Sequence, residues 1–156
     1  MSLSKSAILT VSAAFLVFAG SVFSQEKPIK KADLPAAVQK TADEQAKGAT
    51  VRGYNKEVEN GKVAYEVELT VNGHSKDVTM DAQGNVLEIE EEVAMGALPP
   101  AVREALQKKA GKGTIAKVES LTKKGALVAY EAQVRERKKH SEIQVGPEGK
   151  PLAHKE

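Results

Sequence analysis

The 156 residues contain no cysteine and no tryptophan. Without cysteine there are no disulfides, no thiolate metal ligands and no acylated lipoprotein anchor. The three phenylalanines (Phe15, Phe18, Phe23) all lie near the N-terminus, so residues 25–156 hold only Tyr54, Tyr65 and Tyr130 as aromatics. Aromatic side chains dominate tight interfaces and base-stacking surfaces, and their scarcity argues against nucleic-acid binding. Histidine is equally sparse: His74, His140 and His154 never stand three or four residues apart, which leaves no transition-metal ligand pattern. They read as solvated turn residues. No nucleophile-elbow sequence surrounds Ser75, Ser120 or Ser141. Catalytic and metal residues are therefore expected to be none, cofactors none, and the protein not an enzyme.

A long hydrophobic run is also missing. The apolar stretch Ala7–Ala19 follows Lys5 and precedes Val22-Phe23-Ser24, the order of a cleavable secretory signal, and is too short for a confident membrane span. Residues 1–24 are therefore expected to be a signal peptide, residues 25–32 a polar leader, and the protein periplasmic or secreted and bacterial, with no stable membrane insertion after cleavage.

What the chain does contain is a repeat. Leu34-Pro35-Ala36-Ala37-Val38 returns as Leu98-Pro99-Pro100-Ala101-Val102, a step of 64; Tyr65-Glu66 returns as Tyr130-Glu131, a step of 65. The step of 65 also relates Val78 to Ile143, Gly84 to Gly149 and Leu87 to Leu152. One inserted residue between the helix start and the Tyr-Glu strand accounts for the change. Two copies follow, 33–96 and 97–156. Residues 25–96 carry 9 Lys+Arg against 14 Asp+Glu, a net −5, and residues 97–156 carry 13 against 7, a net +6. An acidic and a basic copy favour docking of the pair and steer charged partners.

Each copy reads as a helix followed by an antiparallel meander. Asp33 is placed as an N-cap with proline close behind, and Leu34, Ala37, Val38 and Ala42 share a helical face that ends near Gly48. Asn60-Gly61 and Asn72-Gly73 mark two-residue hairpins between strands at 50–58, 63–71 and 74–80, with a fourth strand at 86–93. The second copy predicts a helix over 99–110 and strands at 114–121, 126–136, 140–145 and, weakly, 150–153. Val63, Tyr65, Val67, Leu69 and Val71 alternate with Ala64, Glu66, Glu68 and Thr70, a period of two that gives one apolar and one polar sheet face. The expected class is α+β: two tandem helix-plus-antiparallel-sheet repeats packed as one unit, with the helices on one face of the sheet. A lone copy of about 60 residues has a marginal core.

Leu-Pro before a short helix, then Ala64-Tyr65-Glu66-Val67-Glu68, then Val78-Thr79-Met80-Asp81-Ala82-Gln83-Gly84-Asn85-Val86-Leu87, together resemble PepSY and PepSY-like domains. The second copy departs from that pattern at Gly146-Pro147-Glu148-Gly149-Lys150-Pro151-Leu152, which lacks the Asp. The resemblance covers nearly all of 33–153. Tandem domains of this kind resemble the beta-lactamase-inhibitor-protein architecture, which implies an extracytoplasmic binding or inhibitory module with a protein partner such as a secreted or periplasmic hydrolase.

Parity places Glu66, Glu68, Asp77, Glu88 and Glu90 on the exposed polar sheet face, with Glu131, Gln133 and Arg135 as second-copy counterparts. These are the candidate binding residues. The alternative function is a Ca²⁺-responsive envelope protein that uses the acidic face, although no oxygen-rich loop of the usual calcium kind is visible. The basic tip Arg135, Arg137, Lys138, Lys139 reads as a solvated turn.

Overall fold

The structure, a computed structural model, describes residues 26–59 and 61–156; the expected signal peptide at 1–24 and the hairpin residue Asn60 lie outside the described residues. The chain forms β1 (Lys27–Pro28), α1 (Ala36–Gln45), β2 (Thr50–Glu59), β3 (Lys62–Val71), β4 (His74–Met80) and β5 (Val86–Glu92). These are followed by α2 (Pro100–Ala110), β6 (Thr114–Lys123), β7 (Ala126–Glu136) and β8 (Lys139–Val145). All eight strands join one antiparallel sheet in sequence order. The β5–β6 ladder, from Glu88↔Lys123 to Glu92↔Glu119, continues the sheet from one repeat into the next.

Alternation within each strand creates two distinct cores. Val38 and Ala42 of α1, with Leu34, pack against Val67, Leu69, Val78 and Met80. Val102 and Leu106 of α2, with Leu98, pack against Val118, Ala132 and Val145. Complete burial of each large aliphatic side chain contributes about 1.5–3 kcal/mol. Tyr65 and Tyr130 are partly buried against their respective cores, as the repeat suggests, and Tyr54 joins the first.

Three local expectations change. Asp33 does not cap α1. It closes a 3-10 turn at Lys31–Asp33, where its Oδ2 accepts the Lys30 N–H at 3.2 Å. The helix waits for Pro35 because the residue before a proline is forced towards extended backbone, and Leu34 and Leu98 both adopt it, with ψ of 145° and 146°. The polar leader adds a short strand that the sequence does not announce, with Lys27 and Pro28 paired to Lys56 and Asn55 of β2. The weak last strand at 150–153 does not form. Pro151 has no N–H to donate, and the Gly146 N–H closes a turn onto the Lys150 carbonyl at 2.8 Å instead.

The inserted residue is Val128. Both repeats keep the step of 64 through the first strand, including its bulge, at Val51/Gly53 in β2 and Ile115/Lys117 in β6. On β7, Ala129 pairs with Leu121 while Leu127 pairs with Thr122, so Val128 is skipped in the ladder. The corresponding Ala64 and Val63 pair with consecutive residues Glu57 and Val58. A bulge of this kind bends its strand locally and leaves the ladder beyond it intact.

The repeat glycines mark where each meander meets its helix. Gly84 and Gly149 have φ of +78° and +75°. A Cβ on either would lie 2.6 Å from the Ala37 carbonyl oxygen or 2.4 Å from that of Ala101. Only glycine allows both the left-handed backbone and the close approach.

Candidate functional site

The strand parity opposite to the cores, joined by Val63 from the core parity, lines a trough of about 870 Å³ reaching from β2 to β8. Its lining includes twelve carboxylates and four lysines, with Val63, Ala64, Leu87 and Leu121 as its apolar members. Small-molecule sites are mostly apolar with few polar groups; this surface is the reverse.

Register brings the first-repeat candidates side by side. Glu68 pairs with Asp77, and Asp77 with Glu90; Glu66 and Glu88 both pair with Thr79. Like charges facing one another across strands are destabilising, and the side chains are half-buried instead of freely exposed. Burial, opposed by an amide hydrogen bond from Asn55 and reinforced by Glu57, pushes the Glu66 carboxyl up to about 7. Glu90 is pushed up to about 9 by burial and by the adjacent carboxylates Glu119 and Glu88. Asp77 is also raised by burial, against the pull of Arg52 and Lys117. The Arg52 guanidinium lies 2.5 Å from Asp77 Oδ1.

The second-repeat half has different chemistry. Glu131 is buried, at 8% exposure; its Oε2 accepts the Gln144 amide at 2.7 Å and lies 3.7 Å from Lys155 Nζ. Burial raises its carboxyl despite that hydrogen bond. Lys155 also reaches Glu142 at 2.7 Å, and Lys123 contacts Glu88 at 3.3 Å. Gln133 lines the trough, whereas Arg135 is exposed near the end of β7 and is not among the lining residues.

The trough contains residues that the sequence pattern does not single out. Glu119 is 3% exposed and pairs with Lys117 Nζ at 2.5 Å. Ligand oxygens of Asp77, Glu90 and Glu119 all lie within 4.8 Å of one another. Asn55, buried at 7% exposure, donates its amide to Glu66 at 3.0 Å and to Glu68 at 3.3 Å. The β2–β3 and β6–β7 ladders make Glu119 the structural counterpart of Asn55 and Val118 that of Tyr54. The step of 64 ahead of the bulge is a signal for Glu119, but within that strand only Thr50 and Thr114 are identical, too little to fix its register.

The basic tip stands apart. Arg135, Arg137, Lys138 and Lys139 are exposed and outside the trough lining. Among the described residues, no helix is long and apolar enough to cross a membrane.

Several solved structures share this fold. A BLIP-like protein from Bacteroides fragilis has a TM-score of 0.56 at 24% identity, with 76% of this chain and 83% of that chain covered. A putative periplasmic protein from Bacteroides eggerthii gives 0.61 at 16% identity, covering 75% and 84%. A DUF2874 family protein from Bacteroides uniformis gives 0.60 at 18% identity, covering 77% and 86%. No curated protein matches the chain. Two overlapping stretches, residues 21–87 and 63–150, match the family described as "Putative beta-lactamase-inhibitor-like, PepSY-like", and the chain belongs to that family as a tandem PepSY-like protein.

Proposed function

We propose that this is an exported, non-enzymatic binding protein that holds a protein partner against the trough, in the manner of an inhibitor of a periplasmic or secreted hydrolase. In this reading both helices back the opposite face, and the two repeats pack as one unit. The observation that carries this reading is a polar trough that runs without interruption through the β5–β6 ladder and draws lining residues from both repeats. Membership of a family described as inhibitor-like supports a binding role. The periplasmic description of the B. eggerthii relative supports the location. Glu66, Glu68, Asp77, Glu88, Glu90, Glu131 and Gln133 form the proposed contact set, and Arg135 contributes at most at its rim.

The test is capture from periplasm or culture medium. Glu66→Lys, Glu68→Lys and Glu88→Lys together should abolish capture while circular dichroism stays unchanged. Arg137→Ser and Lys138→Ser, outside the trough, should leave it intact. Retained capture by the triple variant would sink the reading.

A second reading, a response to Ca²⁺, draws on the Asp77–Glu90–Glu119 cluster. Arg52 and Lys117 already hold two of those three carboxylates, which favours the protein-binding reading. Calorimetric titration separates them: no heat at millimolar Ca²⁺ removes the cation.

A further inference from the structure

The trough has twelve carboxylates against four lysines, in a chain whose total charge is +2. Its negative charge is therefore local to one face and is matched by positive charge elsewhere. Three of the four lysines are already engaged by trough carboxylates: Lys117 by Glu119, Lys123 by Glu88 and Glu156, and Lys155 by Glu131 and Glu142. Among the described residues, no cation pairs with Glu66, Glu68 or Glu90.

One of these contacts comes from outside the sheet. Residues 154–156 have no helix or strand of their own, yet they lie back on the trough. The Glu156 N–H donates to Gln144 Oε1 at 2.8 Å, and Lys155 places its ammonium on Glu142 and Glu131. The protein's own chain thus delivers a lysine to the β7–β8 end, while the β3–β5 end has carboxylates without one.

We propose that the occupant of the trough is an extended, lysine- or arginine-bearing segment of the partner polypeptide, which pairs with Glu66, Glu68 and Glu90 and competes with Lys155 at Glu131 and Glu142. This rests on the trough being the binding face. Size favours a polypeptide over a small amine. Strands β2 to β8 at about 4.8 Å spacing span roughly 29 Å, the reach of about nine extended residues. Charge-matched encounter would be fast and salt-sensitive. Arriving cations would also favour the ionised carboxylates, so binding releases protons from Glu66 and Glu90, whose carboxyls stand near 7 and 9 in the free protein.

The experiment titrates the exported chain with the peptide (Lys-Ser)5, and with (Gln-Ser)5, (Glu-Ser)5 and spermine as comparisons, following backbone amide shifts by NMR. (Lys-Ser)5 should shift amides along β3, β5 and β7, with affinity falling about tenfold between 20 and 200 mM NaCl. Glu66→Gln, Glu68→Gln and Glu90→Gln together should weaken it at least tenfold. These changes remove the ionisable groups without adding bulk, and retained dispersion of the spectrum reports an intact fold. Lys155→Gln should tighten binding about two- to fivefold.

Trough shifts of equal size with (Gln-Ser)5 overturn the cationic occupant but leave the trough as the binding face. Spermine binding as tightly as the peptide overturns the polypeptide source. No binding of (Lys-Ser)5 at 20 mM NaCl, or shifts confined to residues outside the trough, overturns the proposal altogether. An unchanged affinity in Lys155→Gln overturns the competition. Failure of the face itself is read separately, from partner capture that survives the Glu66, Glu68 and Glu88 reversals.

Discussion

The two repeats share a scaffold but treat the same buried carboxylate in opposite ways. Glu66 and Glu131 occupy equivalent positions after the repeated tyrosine, and both carboxyls are raised by burial. Each accepts a side-chain amide, but from opposite neighbours: Asn55 on β2 serves Glu66, and Gln144 on β8 serves Glu131. Among the described residues, only Glu131 of the two also pairs with a lysine. The duplicated backbone thus fixes where the charge sits, and the unshared side chains around it decide whether it is compensated. The acidic–basic contrast between the copies follows the same rule. The second repeat is basic overall, but it contributes Glu119, Glu131, Glu142 and Glu156 to the trough, together with three lysines that pair with carboxylates there. Its positive surplus lies elsewhere, much of it at the Arg135–Lys139 tip.

The largest expected effects test whether the scaffolds are equivalent. Leu69 and Leu106 are both fully buried, one in each core. Leu69→Ala and Leu106→Ala should each cost about 2–5 kcal/mol in urea denaturation. Because β5 and β6 join the repeats in one sheet, each variant should still unfold in a single transition. Two separated transitions would mean that the repeats fold independently. Next in size are Gly84→Ala and Gly149→Ala, each expected to cost about 1–3 kcal/mol from left-handed backbone strain and the clash with a helix carbonyl. Similar losses are expected because the approach distances to Ala37 and Ala101 are nearly the same.

Much of this scaffold is legible in the residues themselves. Alternation in Val63–Val71 and the turn pair Asn72-Gly73, both with positive φ, announce the meander, whereas Lys124-Gly125 makes the same kind of turn without an asparagine to mark it. The change of step from 64 to 65 announces an inserted residue, and the β6–β7 ladder identifies it as Val128. The register is harder to read. Asp77, Glu90 and Glu119 meet because three strands align, and Glu119 approaches diagonally, opposite Glu92 and Glu131 in its ladders. No local pattern encodes that meeting, since a one-residue slip would reverse the face of every side chain. Asp33 was misleading for a related reason: its capping chemistry is real, but the proline that follows moves the helix start beyond it.

A smaller effect distinguishes the compensated half from the uncompensated one. A carboxyl whose folded value is raised above 4.5 favours the folded state while protonated. That stabilisation is complete below pH 4.5 and is lost as pH rises through about 7 for Glu66 and about 9 for Glu90. The lowered carboxyls of Asp81 and Glu92 work in the other direction, and lose their contribution as pH falls below their ordinary range. Thermal stability should therefore peak in mildly acidic buffer and decline towards pH 9. Glu90→Gln should remove much of the decline, raising stability at pH 9 and changing it little at pH 4.5. A flat stability profile from pH 5 to 9 in the unaltered protein would contradict the buried-carboxylate picture.

The smallest effect makes the second repeat imitate the first. The Lys155 side chain is 60% exposed, and an exposed ion pair is worth about 0–1 kcal/mol, so Lys155→Gln should barely alter the unfolding midpoint. Its consequence lies in titration. Without that ammonium, Glu131 retains burial and the Gln144 amide but loses its nearby cation, which is the situation of Glu66 beside Asn55. The Glu131 carboxyl should then titrate higher than in the unaltered chain, followed by side-chain carbon shifts in NMR, while Glu66 stays where it was. If Glu131 does not move, Lys155 contributes nothing to its charge state. The difference between the two halves would then rest on Gln144, and on the side of the strand from which the amide arrives.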